Sequence, residues 1–231
     1  MAEQLFTIPV NEAFDKECEC ALCVMYNEIE NTVLDFVMGP SYMEDDVRSA
    51  TDKSGFCKEH IKKIYDKNNR LGMAWILKTH MDKIQKDISK LQSGGILKKN
   101  SNEKLLKYLD ELNNSCYICN KLQGTFERYI ATIFHLWKTD DTFADKYKKS
   151  KGFCSEHYAL LIETGEKKLG GRVKEEFINV TNKLYLENII RVRDDVAWFI
   201  NKFDYKYKDE PWKEAKDSLQ RAMIKLDSYI D

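Results

Sequence analysis

The 231-residue sequence has no apolar run approaching the ~20 residues of a membrane span. It has no large charge excess either, with 37 Lys plus Arg against 38 Asp plus Glu and a formal net charge of -1. Such a balance argues against the broad basic face that phosphate backbones attract, so nucleic acid is not the expected partner. The opening MAEQLFTIPVNEAF lacks the basic head and long apolar core of a secretory leader, and a cytoplasmic location is the expectation. No GxSxG, HExxH or phosphate-binding glycine loop occurs, and no reaction or substrate can be read from the chain. Sustained alternation flanked by hairpin turns is missing as well, which excludes an obvious sheet. What remains, at 43% hydrophobic and 12% aromatic residues, is ample for a buried core.

Seven cysteines and four histidines carry the strongest signal. Cys20 and Cys23 form a CxxC, and Cys57 and His60 form a CxxH inside GFCKEH. Cys116 and Cys119 repeat the first pair, and Cys154 and His157 repeat the second inside GFCSEH. The two copies lie 96 to 97 residues apart, and 33 and 34 residues separate CxxC from CxxH. Regularity of this kind reads as an internal duplication, and it continues into NRLGMA (69–74) and KKLGGR (167–172).

Ligands at i and i+3 share one face of a helical turn, so two such turns can converge on one ion. Cys3His is a standard closed tetrahedral set for zinc. The expected grouping is within each copy: Cys20, Cys23, Cys57 and His60 for one zinc ion, and Cys116, Cys119, Cys154 and His157 for a second. Gly55 and Gly152, two residues ahead of each CxxH, suit a turn needing φ > 0. Disulfides do not fit a reducing compartment. An iron–sulfur cluster is the alternative cofactor, disfavoured because such clusters usually take four thiolates.

The duplicated motif, with MGPSYMEDDVRSATDKSGFCKEH, NRLGMAWILKTH, TFERYIATIFHLWKTDDTFADKYKKSKGFCSEH and KFDYKYKDEPWKEAKDSLQRA, resembles a family of functionally uncharacterised bacterial Cys/His-rich helical proteins over nearly the whole chain. The resemblance implies a helical cytoplasmic protein with no assigned reaction, and the eight Cys and His positions carry its ligand pattern.

Helical spacing follows each CxxC, in Ile29, Val33, Phe36 and Val37 and in Leu122, Phe126, Ile130, Ile133, Phe134 and Trp137. Gly39 and Pro40 should stop the first of these helices. A long return helix is expected beyond each CxxH, the first through Met73, Ile76, Leu77, His80, Met81, Ile84, Ile88 and Leu91, the second through Val173, Phe177, Val180, Leu184 and on to Phe199. Pro211 and Trp212, after two acidic residues, should begin a final helix with the stripe Ala215, Leu219, Ala222, Leu226 and Ile230. The fold class is all-α, with pseudo-symmetric halves at 1–92 and 104–231 joined by a linker at 93–103.

Secondary candidates are fewer. Cys18 has no counterpart in the second copy and reads as a thiol without a role, as a spare or exchanging ligand, or as a reactive thiol whose pKa is lowered by the nearby helix start and metal. His80 and His135 lie on apolar stripes, where a packed histidine is the default reading and an extra site the other. Glu44, Asp45 and Asp46, and the basic run Lys146, Lys148, Lys149 and Lys151, read as solvated charge. The leading functional expectation is a non-enzymatic binding module for an unknown protein or small ligand, clipped by two structural zinc ions. A thiol/zinc redox sensor and an enzyme with a pocket between the halves are the alternatives.

Overall fold

The computed structural model describes residues 6–93 and 101–228, and these form eleven α-helices with no strand among them. In chain order they are α1 (Thr7–Asp15), α2 (Ala21–Met38), α3 (Asp45–Ser54), α4 (Lys58–Asp66), α5 (Arg70–Ser93), α6 (Ser101–Asn113), α7 (Tyr117–Thr139), α8 (Asp141–Lys149), α9 (Ser155–Lys168), α10 (Gly171–Asn201) and α11 (Ser218–Asp227). The all-α expectation holds. α2 ends at Met38, as Gly39 and Pro40 require, with a 3-10 turn at Pro40–Met43.

Several boundaries differ from the sequence reading. The polar stretches before each CxxH are helices, α3 and α8, because each has an N-terminal acidic group to satisfy free amides: the Asp140 carboxylate accepts the Phe143 N–H at 3.1 Å. The long return helices expected through Met73–Leu91 and Val173–Phe199 are α5 and α10, each continuous, and a separate shorter helix, α4 or α9, precedes each of them. The junctions, at Lys67–Asn69 and at Leu169–Gly170, fall on the repeated NRLG and KLGG signals. Asn68 takes a left-handed conformation (φ 63°) at the first of them. Pro211 and Trp212 do not start a helix. The Pro211 carbonyl accepts the Trp198 indole N–H at 3.0 Å, and α11 begins only at Ser218. The linker expectation at 93–103 falls largely outside the described residues, while 101–103 belong to α6. Ile230 also lies outside them.

Two compact units emerge, and they do not follow the two sequence copies. Unit 1 contains residues up to 27 together with 126 onward, and unit 2 contains 28–125. The divisions fall inside α2 and α7, so each CxxC helix starts in one unit and ends in the other.

Unit 1 is built on aromatics. Tyr147 is fully buried and surrounded by Phe14, Trp137, Phe153 and Phe177, with ring centroids 5.2 to 5.6 Å away. Its hydroxyl bonds to Thr181 Oγ1 at 2.8 Å, which removes the cost of burying that oxygen unpaired. Unit 2 has an aliphatic core, in which Leu34, Val37, Ile64, Ile76 and Ile118 pack with Tyr42 and Tyr117.

Not every apolar stripe faces inward. Phe36 is 50% exposed, Met81 63%, Leu219 45% and Leu226 61%. On α11 the buried face is rotated by roughly a quarter turn from the expected one, since Ser218 and Lys225 are buried while its leucines meet solvent.

Candidate metal centres

All eight ligand candidates sit at helix starts. Cys20 and Cys116 immediately precede α2 and α7, and Cys23 and Cys119 lie in their first turns. Cys57 and Cys154 are the N-caps of α4 and α9 (φ -70°, ψ 167° and φ -73°, ψ 166°), with His60 and His157 one turn on. Helix starts present free amides and the positive end of the dipole, and backbone amides reach the sulfurs of Cys116 and Cys154, which favours thiolate at these two. Gly55 (φ 58°) and Gly152 (φ 76°) make the left-handed turns that aim the two caps.

The pairing differs from the one expected. Cys20 and Cys23 meet Cys154 and His157 in unit 1, whereas Cys57 and His60 meet Cys116 and Cys119 in unit 2. Each CxxC is matched with the CxxH of the other copy, so the reading of one complete set per copy is corrected. Local sequence cannot make this choice, because the two CxxC pairs and the two CxxH pairs are near-identical. Packing makes it. Phe126 lies against the His157 ring with centroids 5.4 Å apart, and the Tyr117 N–H bonds the Gly55 carbonyl at 3.0 Å.

The donor spacing suits one tetrahedral ion. Around Zn–S ~2.3 Å and Zn–N ~2.0 Å, tetrahedral geometry sets S···S near ~3.8 Å and S···N near ~3.5 Å. In the α2–α9 centre, Cys154 Sγ lies 3.9 and 3.6 Å from Cys20 and Cys23 Sγ. His157 Nδ1 lies 3.1, 3.3 and 3.5 Å from Cys154, Cys23 and Cys20. In the α4–α7 centre, Cys57 and Cys119 are 3.9 Å apart, and His60 Nδ1 is 3.1 to 3.4 Å from the three sulfurs. These two clusters could each hold a metal ion.

With protein groups alone, each cluster concentrates one thiolate against an imidazolium. Burial opposes ionisation of Cys116, but contacts with His60 and nearby amides outweigh it and draw the thiol down to about 6. His60 is raised to about 9, chiefly by Cys116, and burial next to Cys116 pushes Cys119 up to about 12. In the other cluster Cys20 and Cys23, then His157, hold Cys154 far below the thiol range, while Cys23 is driven up by Cys154 and Cys20. Burial works against a charged His157, yet Cys154 and Cys20 raise it to about 10. A divalent cation would take the place of the protons that these groups compete for.

The outer partners are not alike. His60 Nε2 bonds the Glu30 carboxylate at 2.9 Å, and the second Glu30 oxygen accepts Lys63 Nζ at 2.6 Å. This carboxylate–histidine contact fixes the ring with Nδ1 toward the thiols and makes it a stronger donor. At the α2–α9 centre, Cys154 Sγ accepts the Ser228 hydroxyl at 2.9 Å and the His157 N–H at 3.4 Å. A cavity of about 170 Å³ lined by Cys23, Tyr26, Asn27, Glu156, His157 and Ser228 borders it. Cysteine spacing alone pointed to none of these partners. Glu30 carried a readable signal, because it shares a helical face with the buried Leu34 and Val37, where a carboxylate needs a partner.

The remaining candidates stand apart from both clusters. Cys18 is half-buried, and burial together with Cys20 raises its thiol pKa, the reverse of the lowered value that a reactive thiol was expected to show. His80 lies in unit 2 and His135 in unit 1, and neither joins a cluster of three donors among the described residues. The His80 Nδ1–H donates to the Asp52 carbonyl at 2.8 Å, and its ring lies under Gly55, so it buttresses the turn ahead of Cys57. Asp45 pairs with Arg48, and Asp46 accepts the Val47 N–H at 2.8 Å at the start of α3. Lys146, Lys148 and Lys151 are paired with Asp15, Glu176 and Glu17, so three of the four charges of the basic run are offset locally.

A sequence-family profile matches residues 1–231. The chain belongs to DUF6062, a family of unknown function. No curated protein and no solved structure shows a significant match to this DUF6062 member. No helix among its described residues is long and apolar enough to cross a membrane.

Proposed function

We propose that this DUF6062 protein is a zinc-clipped helical binding module, in which two closed Cys3His centres are structural. The observation that carries the reading is the donor spacing, with every ligand atom of each set within 4.8 Å of the others. That space suits one ion and is too narrow for the several irons and sulfides of a cluster. Bound zinc would supply a cross-link between helix starts, α2 with α9 and α4 with α7. Four protein ligands leave no coordination position for water, which favours structure and recognition over hydrolysis. Seven unbonded thiols suit a reducing compartment such as the cytoplasm, with a protein or small ligand as the binding partner.

Metal analysis of double variants tests both the ion and the pairing. Wild-type protein purified without added metal should carry two zinc ions per chain. Cys20→Ser with Cys154→Ser should retain one, and Cys20→Ser with Cys57→Ser should retain none. The reverse order would restore pairing within each copy. Absorbance near 400 nm with stoichiometric iron would replace zinc by an iron centre.

A further inference from the structure

Lys225 is 1% exposed, the rarest placement for its residue type, and the metal reading gives it no role. From α11 its side chain enters between the two loops that carry the unit-1 ligands. Nζ donates to the carbonyl of Glu19, the residue before Cys20, at 2.5 Å. It donates also to the carbonyl of Lys151, three residues before Cys154, and lies 3.1 Å from Glu19 Oε2. Three acceptors match the three N–H groups of an ammonium. Glu19 Oε2 also takes Arg191 Nη2 at 2.5 Å, so the charge of the buried carboxylate is paired through this oxygen, while Oε1 is buried without a hydrogen-bond partner among the described residues. A divalent ion with three thiolates and a neutral imidazole would add one negative charge beside this group, and with Lys225, Glu19 and Arg191 the sum is zero.

The same end of α11 touches the ligands again. Ser155, the residue after Cys154, donates its hydroxyl to the Lys225 carbonyl at 3.1 Å, and Ser228 donates to Cys154 Sγ. Unit 2 does without such a third element. At the positions equivalent to Glu19 and Lys151, Ser115 donates its hydroxyl straight to the Ser54 carbonyl at 2.6 Å. The backbones of the α4–α7 ligand loops are bridged by one loop's own side chain, whereas between the α2–α9 loops the exposed Lys151–Glu17 ion pair is joined by the buried bridge of Lys225. The grip of α11 is largely polar, since Arg221 bonds Asp195 at 2.7 Å on the inner face while Leu219, Met223 and Leu226 are exposed. Polar contacts of this kind depend on geometry, so they hold only while the ligand loops keep their places.

We propose that Lys225 is the positioning residue of the α2–α9 metal centre, and that docking of α11 and metal occupancy at this centre stabilise each other. The inference rests on the zinc reading. By linkage, whatever loosens one must loosen the other, and the α4–α7 centre stays outside the coupling.

The test is zinc release from the full chain into a chelating dye, with amide exchange read over 218–227. Lys225→Met keeps the length and removes the charge. One of two equivalents should then leave at least ~10-fold faster, the usual scale for losing an outer partner of a metal ligand. The other equivalent should leave at the wild-type rate, and exchange in α11 should rise. Glu30→Gln should accelerate the other equivalent and leave α11 protected. Should Lys225→Met fail to fold, Ser228→Ala should speed the same single equivalent, and stripping zinc from wild-type protein should deprotect α11. Unchanged release, equal acceleration of both equivalents, or α11 protection indifferent to metal would overturn the coupling. Wild-type protein without metal would overturn the zinc reading and the coupling with it, and metal analysis before the kinetics separates that outcome from the others.

Discussion

The two centres use the same four-residue donor set on the same helix-start geometry, and they differ in what lies around it. All four donors at α2–α9 are buried, and the sulfur of Cys154 is hydrogen-bonded by a hydroxyl and an amide. At α4–α7 two of the three sulfurs, those of Cys57 and Cys119, are only half-buried, and the histidine leans on a carboxylate. Donors on sulfur drain thiolate charge, while a carboxylate on imidazole adds electron density to the metal site. With metal bound, the first centre is therefore expected to be the more inert and the second the more reactive. Identical motifs do not imply identical sites.

Removing one ligand from each centre should have the largest effect on this contrast. Zinc binding to such sets is worth roughly 10–16 kcal/mol in small peptides, against a total domain stability of ~5–15 kcal/mol. Cys154→Ser and Cys57→Ser should each lower the melting temperature by roughly 10 °C or more, at about 2–4 °C per kcal/mol for a chain of this size. Hydrogen exchange should rise over 126–227 in the first variant and over 28–125 in the second. A matching pattern in both would mean that the units do not own separate centres.

Thiol chemistry should then rank the centres. Under native conditions with a limiting alkylating reagent, mass spectrometry should find Cys57 and Cys119 modified before Cys20, Cys23 and Cys154. Earlier modification of the buried trio would reverse the assignment of inert and reactive centres.

The smallest effect compares the two glycine turns. An added Cβ at Gly55 would press on the His80 ring at 2.8 Å, and one at Gly152 on the Leu184 carbonyl at 3.0 Å. Both residues have positive φ, so alanine should cost each of order 1–3 kcal/mol in denaturant unfolding. Gly152→Ala should be the worse, because a side chain can swing aside and a helical carbonyl cannot. Equal losses would mean that backbone strain alone decides the cost.

Much of this was legible in the residues. Periodicity marked the helices after each CxxC, and i, i+3 spacing marked all eight clustered donors and their place at helix starts. The pairing was not legible, because duplication makes Cys20 and Cys116 interchangeable on local grounds and only contacts far apart in sequence distinguish them. The α11 stripe misled for a related reason. Leu219 and Leu226 are at helical spacing, but Lys225, with its polar partners, and Ser218 are the buried residues, about a quarter turn round the helix, and tertiary contacts overrode the apolar pattern. The return helices α5 and α10 were legible from their apolar spacing, whereas the short helices α4 and α9 before them were not, and the repeated NRLG and KLGG marked the junctions without saying that the chain turns there.

Crossed pairing also nests one closure inside the other along the chain. The α4–α7 centre spans 62 residues between Cys57 and Cys119, and the α2–α9 centre spans 131 between Cys23 and Cys154. Doubling a loop adds only about 0.6 kcal/mol to the entropy of closing it, so the wider clip is hardly penalised at equilibrium. On the ribosome the difference is one of order. The inner clip can form once Cys119 has emerged, while Cys20 and Cys23, made before it, wait as open thiols until Cys154 and His157 follow and Lys225 comes later still.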